Sequence, residues 1–430
     1  MFLRMRSGGA ILNMTVKDWK NSEERGGDGM AYNGFNLENV KNQNRSSILK
    51  LLNDHGPMSR KDISARLGLT PASVTTLCAE LLAQNILVEL GEVQQGNRAG
   101  RRKILLGINY TYRYVLSISI EMPSTCITLC DLRGEHCSTR RIPTDIAAPP
   151  ELFLKQVANV GKALLWENSI GREQLLGAGV SVPGPVDREK GVSTHAYRIW
   201  NQSVQVASLL AQALECTILL ENNVKAFARA ELTYGLGRTQ ENLLLLKWGP
   251  GVGSAIIAQG HIYDSGKYRS AEIGHVRVEK NGRLCRCGRY GCLETRVASH
   301  PIARHLRQVC SPEKTPLLWA AVDGHPEKIT VHDLEALAAL DEPAMWEALD
   351  ADIELLADVV GGMLTMLTPD HLILYGDMFK LPHFREKFLA ACKRYDPAYD
   401  EDYVRISELD QRIAYIGPLA VVTNELFYQG

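Results

Sequence analysis

The segment from Glu272 to Glu294 reads EIGHVRVEKNGRLCRCGRYGCLE and holds the most informative pattern of the chain. Within it, glycines separate one histidine and three cysteines: His275, Cys285, Cys287 and Cys292. Three thiolates and one imidazole are the ligand set of a closed, tetrahedral structural zinc site. We therefore predict one structural Zn²⁺ per chain in a loop over residues 275–292. The alternative is a flexible turn that carries free cysteines.

Length and composition indicate an ordinary globular protein of more than one domain. The chain has 430 residues, of which 45% are hydrophobic and 23% charged, and its net charge is -1. These values favour two or three domains and exclude a disordered chain. No run of eighteen apolar residues and no signal-peptide core is present, so we expect no membrane span. Cysteines without a secretion signal favour a reducing cytoplasm, where the remaining ones would be buried thiols: Cys78, Cys126, Cys130, Cys137, Cys216, Cys310 and Cys392.

Positive charge is concentrated near the N-terminus. Between Leu37 and Lys103 there are ten Lys or Arg residues against six Asp or Glu residues. This segment is therefore +4, and the rest of the chain is -5. A basic module on an acidic body is typical of nucleic-acid binders, although a solvated charged face gives the same pattern.

The same basic segment has the layout of a winged helix-turn-helix. Two helix starts, at Ser59 and at Thr70-Pro71, lie on either side of a tight Gly68-Leu69 turn. Two short strands follow, at 86–90 and 103–106, and a polar, basic loop connects them. We predict a winged helix-turn-helix DNA-binding domain over residues 37–108, preceded by a disordered extension over residues 1–36.

The helix that follows the turn exposes short side chains, which can approach base edges in a major groove. Arginines of the wing loop would reach phosphates or a minor groove. The residues predicted to contact DNA are Ser59, Arg60, Thr70, Ala72, Ser73, Thr75, Thr76, Arg98, Arg101 and Arg102. The alternative is a small helical domain that contacts other proteins.

Residues 109–430 alternate between strand and helix patterns. Candidate strands cover 114–120, 176–182, 218–221, 243–247 and 371–375. Glycine-rich or polar loops follow several of them, at the strand ends where ligands usually bind. The pattern predicts an α/β fold, and its length favours two lobes around a cleft.

Four motifs occur in an order that resembles a known family. They are the winged helix, V-P-G-P-V-D at 182–187, E-N-N-V-K-A-F-A-R-A-E at 221–231 and G-P-G-V-G-S-A-I at 249–256, followed by the cysteine segment. Together they resemble the ROK family of repressors, open reading frames and sugar kinases, and most closely its repressor branch, which includes xylose and N-acetylglucosamine repressors.

This resemblance implies an N-terminal winged helix-turn-helix followed by an α/β, actin-like (ribonuclease H-like) two-lobed sugar-kinase fold. The lobes would cover about 109–230 plus the C-terminal helix, and about 231–415. By resemblance, the sugar ligands are Asn222, Asn223, Glu272, His275 and Glu294. His275 would use one ring nitrogen for zinc and offer the other to a sugar oxygen. The alternative for Glu272 and Glu294 is that they only support these ligands or lie at the surface.

Three departures from the kinase pattern favour a sensor over an enzyme. Asn223 stands where ROK kinases carry the aspartate that acts as general base, and an amide cannot accept a proton at pH 7. The stretch S-I-E-M-P-S-T at 119–125 lacks the glycines of a phosphate loop. Gly376-Asp377 replaces a Gly-Gly pair. We therefore expect no catalytic residue in this chain.

These features predict a sugar-responsive regulator, most simply a repressor of carbohydrate genes, that binds operator double-stranded DNA as a homodimer or homotetramer. Asn223 removes a negative charge near Lys225, which suggests a phosphorylated or otherwise anionic sugar effector. Tyr197 replaces an asparagine common in the family, so the identity of the sugar is open. The alternatives are an active sugar kinase with an accessory DNA-binding domain, and a repressor that responds to a protein partner.

Overall fold

A computed structural model of the protein describes residues 37–93, 103–264, 270–400 and 402–429. The chain separates into two compact units, Met1–Arg45 and Ser46–Gly430. Of the first unit, only the residues that begin helix α1 (Leu37–His55) are described. The predicted disordered extension, residues 1–36, lies outside the described residues. The predicted boundary at 108/109 falls inside the second unit and stays a prediction.

The predicted winged helix-turn-helix is present and begins with α1. Its further elements are β1 (Met58–Ser59), α2 (Arg60–Leu67), α3 (Pro71–Ala83), β2 (Leu87–Val93) and β3 (Lys103–Ile108), with the sheet order β1-β3-β2. Ser59 Oγ accepts from the Asp62 N–H, and Thr70 Oγ1 accepts from the Ser73 N–H. These caps satisfy backbone donors that a helix start leaves unpaired. Gly68 adopts φ 66° between α2 and α3, which confirms the predicted turn.

A first five-stranded sheet follows, in the order β10-β7-β4-β5-β6. It consists of β4 (Tyr114–Ile120), β5 (Ser124–Asp131), β6 (His136–Pro143), β7 (Leu175–Val182) and β10 (Ile218–Asn222). Strands β4, β7 and β10 are parallel, whereas β5 and β6 continue the sheet as hairpins. Helices α4 (Pro150–Glu167) and α5 (Val206–Leu214) bury one face of the sheet, and a small ribbon of β8 (Val186–Asp187) and β9 (Val192–Ser193) lies between β7 and α5 in the chain.

Helix α6 (Asn223–Tyr234) leads to a second five-stranded sheet, in the order β13-β12-β11-β14-β15. Its strands are β11 (Leu243–Trp248), β12 (Val252–Ala258), β13 (His261–Ile262), β14 (His371–Tyr375) and β15 (Val404–Ile406). The helices of this part are α7 (Glu294–Val297), α8 (Ser299–Val309), α9 (Pro316–Ala321), α10 (Leu334–Ala338), α11 (Pro343–Leu367), α12 (Asp377–Lys380) and α13 (Pro382–Tyr395). A continuous apolar core between helices and sheet surrounds the fully buried Trp248. None of the helices within the described ranges is long and apolar enough to span a bilayer.

The last helix, α14 (Ile416–Val422), returns to the first sheet. Ser117 Oγ on β4 donates to the carbonyl of Tyr415, 2.5 Å away. A Cβ atom at Gly179 on β7 would lie 1.9 Å from the Pro418 carbonyl oxygen. Only glycine leaves room for this approach of two backbones. Gly179 therefore allows α14 to pack directly against β7.

Replacing Gly179 with alanine is expected to lower the free energy of unfolding by about 2 kcal/mol or more, because the new methyl group meets backbone that cannot rotate away. Gly362→Ala is the matched control: it lies inside α11 with no atom within 4 Å of its Cβ position. That change should raise stability by up to about 1 kcal/mol through helix propensity. Chemical denaturation measures both, and equal stability of the two variants would contradict the close approach.

Candidate functional site

A cavity of about 280 Å³ lies at the ends of the central strands of both sheets. The five polar residues predicted to bind sugar all line it: Asn222, Asn223, Glu272, His275 and Glu294. They come from the end of β10, the start of α6, the cysteine segment and the start of α7. Their roles as ligands stay predictions, but the fold brings together residues that the sequence separates widely.

Asn222 is held rigidly at the start of α6. Its Oδ1 accepts from the N–H groups of Val224 and Lys225, at 2.9 and 3.1 Å. Its Nδ2 donates to the Gly184 carbonyl at 2.9 Å. Because an amide nitrogen carries two hydrogens, one donor of Asn222 is left over for a molecule in the cavity.

Asn223 belongs to a polar network that the sequence did not predict. Its Nδ2 donates to Glu121 Oε1 at 2.7 Å, and Lys247 Nζ donates to the same oxygen at 3.0 Å. Burial raises the pKa of Glu121, but the Lys247 charge and the two hydrogen bonds outweigh it and hold that pKa below its usual value. Glu121 therefore stays ionised. The one signal in the sequence is Lys247 itself, a cation that interrupts the apolar strand LLLLKW.

Glu294 connects the glycine loop to the cavity. Its Oε2 accepts from the Val252 N–H at 3.1 Å, and a Cβ atom at Gly251 would lie 3.0 Å from the same oxygen. Burial raises the pKa of Glu294, against the hydrogen bond from Val252 and the charges of Arg198 and Arg286. The glycines at 249–253 thus let the loop approach this carboxylate closely.

The cysteine segment folds into a compact cluster. The potential ligand atoms of His275, Cys285, Cys287 and Cys292 all lie within 4.8 Å of one another. Cys285 Sγ is 3.5 Å from His275 Nδ1, and Cys287 Sγ is 3.7 Å from Cys292 Sγ. Zinc bonds of about 2.3 Å to sulfur and about 2.0 Å to nitrogen give tetrahedral edges of roughly 3.5 to 3.8 Å. The cluster therefore has the size of a tetrahedral metal site.

His275 joins this cluster to the cavity. Its side chain is buried, with Nδ1 toward Cys285 and Nε2 3.9 Å from Glu272 Oε2. The Tyr197 ring packs edge-on against the imidazole, with 5.4 Å between ring centroids. One nitrogen thus faces the thiols and the other faces a carboxylate of the cavity. The predicted contact of the second nitrogen with a sugar oxygen stays a prediction.

The winged helix presents five of the ten predicted DNA-contacting residues to solvent: Thr70, Ala72, Ser73, Thr75 and Thr76. Helix α3 buries Val74, Leu77, Cys78 and Leu81, and it exposes Ala72, Ser73, Thr75 and Thr76. Thr75 Oγ1 is bonded to the Pro71 carbonyl, and Ser73 Oγ lies 2.8 Å from Thr70 Oγ1. Arg98, Arg101 and Arg102 lie outside the described residues.

The side chains of Ser59 and Arg60 already bond to other residues of the winged helix, so their predicted contacts with DNA stay predictions. Ser59 is only 4% exposed, and its hydroxyl donates to Asp62 Oδ2 at 2.6 Å. A buried hydroxyl that already caps α2 does not point toward a groove, so the structure gives Ser59 a capping role. Arg60 forms a 3.2 Å ion pair with Glu89 at the surface, which leaves its guanidinium accessible.

Comparison with known proteins identifies the family. Residues 116–425 match the ROK family, and residues 41–88 match the winged helix-turn-helix DNA-binding family. The chain therefore belongs to the ROK family and carries an N-terminal winged helix-turn-helix. The predicted fold, an actin-like body of two lobes behind a DNA-binding module, is confirmed.

Its relatives include named regulators. A putative xylose repressor from Caldicellulosiruptor sp. (strain Rt8B.4) is 24% identical over 90% of this chain and 97% of its own length. The DNA-binding transcriptional dual regulator NagC of Escherichia coli K12 is 27% identical over 63% of this chain and 66% of its own length.

Two solved structures share the fold. A ROK family transcriptional regulator, a homolog of the E. coli MLC protein, has a TM-score of 0.75, with 21% identity over 91% of this chain and 98% of its own. A ROK family glucokinase from Streptomyces griseus, in complex with glucose and AMPPNP, has a TM-score of 0.59, with 20% identity over 71% of this chain and 98% of its own.

Proposed function

We propose that this protein is a sugar-responsive transcriptional regulator, of the repressor type, that binds operator DNA through its winged helix and a sugar or sugar derivative in the cavity. The observation that carries the proposal is the cavity itself, where two amides, two carboxylates and an imidazole converge in a chain that also carries a DNA-binding module. Such groups can each bond adjacent hydroxyls of a sugar. The names of two relatives, a putative xylose repressor and a DNA-binding transcriptional dual regulator, support the same interpretation.

The cavity is proposed to bind sugar without phosphorylating it. Asn223 offers no proton acceptor at the position of a general base, and its amide is engaged by Glu121. The side chain of Glu121, paired with Lys247, occupies the turn between β4 and β5, where a phosphate loop needs glycines. Turnover of ATP with a panel of hexoses, above the rate of an empty reaction, would contradict this part of the proposal.

We further propose that the cysteine cluster holds a structural Zn²⁺. The support is its ligand set, its tetrahedral dimensions and its burial. A closed site of this kind supplies no reactive position, so the ion would fix the loop and thereby orient His275 and Glu272 at the cavity wall.

Purified protein is expected to contain about one zinc per chain by elemental analysis. Cys287→Ser should lower the content well below half, because a serine hydroxyl is a poor substitute for a thiolate ligand. Cys216→Ser is the matched control, since Cys216 is half-buried and outside the cluster, and it should keep the full content. Metal-free wild-type protein, purified without chelator, would overturn the assignment.

Helix α6 connects the cavity to the winged helix. It begins at Asn223 in the cavity and, over about 18 Å of helix, ends next to the winged helix. At that end, Asn53 Nδ2 of α1 donates to the Thr233 carbonyl at 2.7 Å, and Tyr428 OH donates to Asn53 Oδ1 at 2.9 Å. We propose that sugar binding at one end of α6 shifts the winged helix at the other end, through this amide.

A symmetric oligomer, a dimer or a pair of dimers, would convert that shift into a change of operator affinity. Two-fold proteins bind palindromic sites whose half-sites are spaced by helical turns, so a small rotation of each winged helix alters the fit of both. Coupling of ~1–3 kcal/mol corresponds to about a 5- to 150-fold change in affinity.

DNA binding is tested first on operator fragments selected from genomic DNA. Thr76→Ala is expected to weaken specific binding about fivefold or more and leave binding to random duplex unchanged, because an exposed hydroxyl on α3 would be lost from a base edge. Thr365→Ala, on α11 of the body, is the control and should change neither. Equal loss on specific and random DNA would contradict base contact by α3.

Asn53→Ala is expected to keep operator affinity in the absence of sugar but to reduce the effect of sugar on that affinity several-fold. Removal of the amide leaves the Thr233 carbonyl and the Tyr428 hydroxyl without their partner, at a cost of about 1–2 kcal/mol in stability. Asn168→Ala, which removes an amide bonded to the Leu164 carbonyl at the end of α4, should leave the sugar effect intact. Fluorescence anisotropy with and without sugar measures both variants.

An unchanged sugar response in Asn53→Ala would show that coupling does not pass through this amide. A matching loss in the Asn168 variant would show that the effect is one of general destabilisation.

A further inference from the structure

The cavity carries more positive charge than a neutral sugar requires. Two of its lysines are neutralised: Lys247 by Glu121 at 3.0 Å and Lys225 by Asp264 at 3.0 Å. Four arginines that line the same cavity form no ion pair with any carboxylate of the described residues: Arg198, Arg283, Arg286 and Arg304. The sequence indicated Lys225 as the cation that would favour an anionic sugar. Because Lys225 is paired with Asp264 in the structure, the four arginines are the better candidates.

Arg198 and Arg286 mark the place where the sugar cavity meets a second, larger cavity of about 1110 Å³, because both residues line both. Arg198 is half-buried and adopts φ 70°, a left-handed conformation that a non-glycine residue holds only when its surroundings require it. Burial lowers the pKa of Arg198, and the adjacent Arg286 lowers it further. Arg198 and Arg286 thus place two positive charges near each other, where they are partly shielded from water.

A buried hydroxyl lies in the same area. Ser299, at the start of α8, lines the second cavity and is only 5% exposed. None of the described residues forms a hydrogen bond with its Oγ atom. Its neighbour His300 lines both cavities, and burial together with Arg198 and Arg286 lowers the pKa of His300 to about 4. The imidazole is therefore neutral near pH 7, and the fixed positive charge comes from the two guanidinium groups.

Unpaired guanidinium groups beside a buried, unpartnered hydroxyl make a site for an anion. Arginine presents two parallel N–H donors that match a phosphate or carboxylate, and such charge-assisted hydrogen bonds strengthen where water is excluded. The Glu294 carboxylate raises the pKa of Arg198, against burial and Arg286, and its Oε2 already accepts from the Val252 N–H. Glu272 and Glu294 line the same cavity as the four arginines, so two of the four positive charges have no carboxylate to balance them among the lining residues.

We propose that the effector is an anionic sugar, whose phosphate or carboxylate group binds Arg198, Arg286 and Ser299 at the junction of the two cavities. This inference rests on the proposed sugar-sensing function and names the chemical class of its ligand. The neutral ring of the sugar occupies the five-residue site, and the acidic substituent extends toward the second cavity.

The test is isothermal titration of the full-length protein with paired probes: glucose and glucose 6-phosphate, N-acetylglucosamine and its 6-phosphate, and glucuronic acid. The acidic member of at least one pair is expected to bind tenfold or more tightly than its neutral parent at 0.15 M salt. The affinity for glucuronic acid, compared with that for the two sugar phosphates, shows whether the site prefers a carboxylate or a phosphate ester. ATP is included as a separate probe, because tight binding of ATP with no preference among the sugars would assign the arginines to a nucleotide instead.

Arg198→Gln is expected to remove the preference for the acidic sugar, so that the acidic sugar binds no more tightly than its neutral parent. Arg172→Gln, which breaks an exposed ion pair with Glu215 far from the cavity, is the control and should keep the preference. Equal affinity of wild-type protein for neutral and acidic sugars would overturn the anion site but leave the sugar site standing.

Failure of every sugar to bind would contradict the proposed function itself, and a separate measurement then decides the anion site. Inorganic phosphate at 10 mM should raise the melting temperature of the wild-type protein more than that of Arg198→Gln. Identical shifts in the two proteins would overturn the anion site without reference to any sugar.

Discussion

The imidazole of His275 is the contact on which the arrangement of the site depends. One of its nitrogens lies among three thiols, and the other lies near Glu272 at the cavity wall. Because the ring is buried and packed against Tyr197, it has little freedom to turn. A cluster that fixes this ring also fixes the segment on either side of it, from Glu272 to the start of α7. Binding groups contributed by an irregular loop thus gain the rigidity usually found on strands and helices.

The network of Asn223, Glu121 and Lys247 connects the two five-stranded sheets at the cavity. In place of a base near an open phosphate loop, the chain has an amide that donates to a carboxylate, which a lysine from the opposite sheet neutralises. Strands β4 and β11 belong to different sheets, so this ion pair connects the two sides of the cleft.

Local features of the chain were predictable from sequence because they depend on neighbouring residues. Caps at Ser59 and Thr70, the glycine turn between α2 and α3, and the strands β4, β7, β10, β11 and β14 follow from patterns of a few residues. The cysteine cluster was also accessible, since its four members lie within eighteen residues of one another. Resemblance to the ROK family supplied the two-lobed fold and the grouping of the five cavity residues.

Long-range contacts were not predictable in the same way. Glu121 and Lys247 are 126 residues apart, and the donor and acceptor between Asn53 and Thr233 are 180 residues apart. A single sequence does not show which cation will pair with which carboxylate. Nor does it show that Arg198 forms no ion pair with the described residues. The burial of Ser59, unlike its role as a cap, likewise follows from the packing of β1 against β3.

The return of α14 to the first sheet bears on how the protein is made. Strands β4 and β7 are synthesised early, yet Ser117 has its partner at Tyr415, 298 residues later in the chain, and Gly179 has its partner at Pro418. Until those residues emerge, the face of the sheet that they cover is apolar and open to water. The nascent first lobe therefore exposes a surface that chaperones bind. A chain truncated before α14 would leave that face of the sheet uncovered.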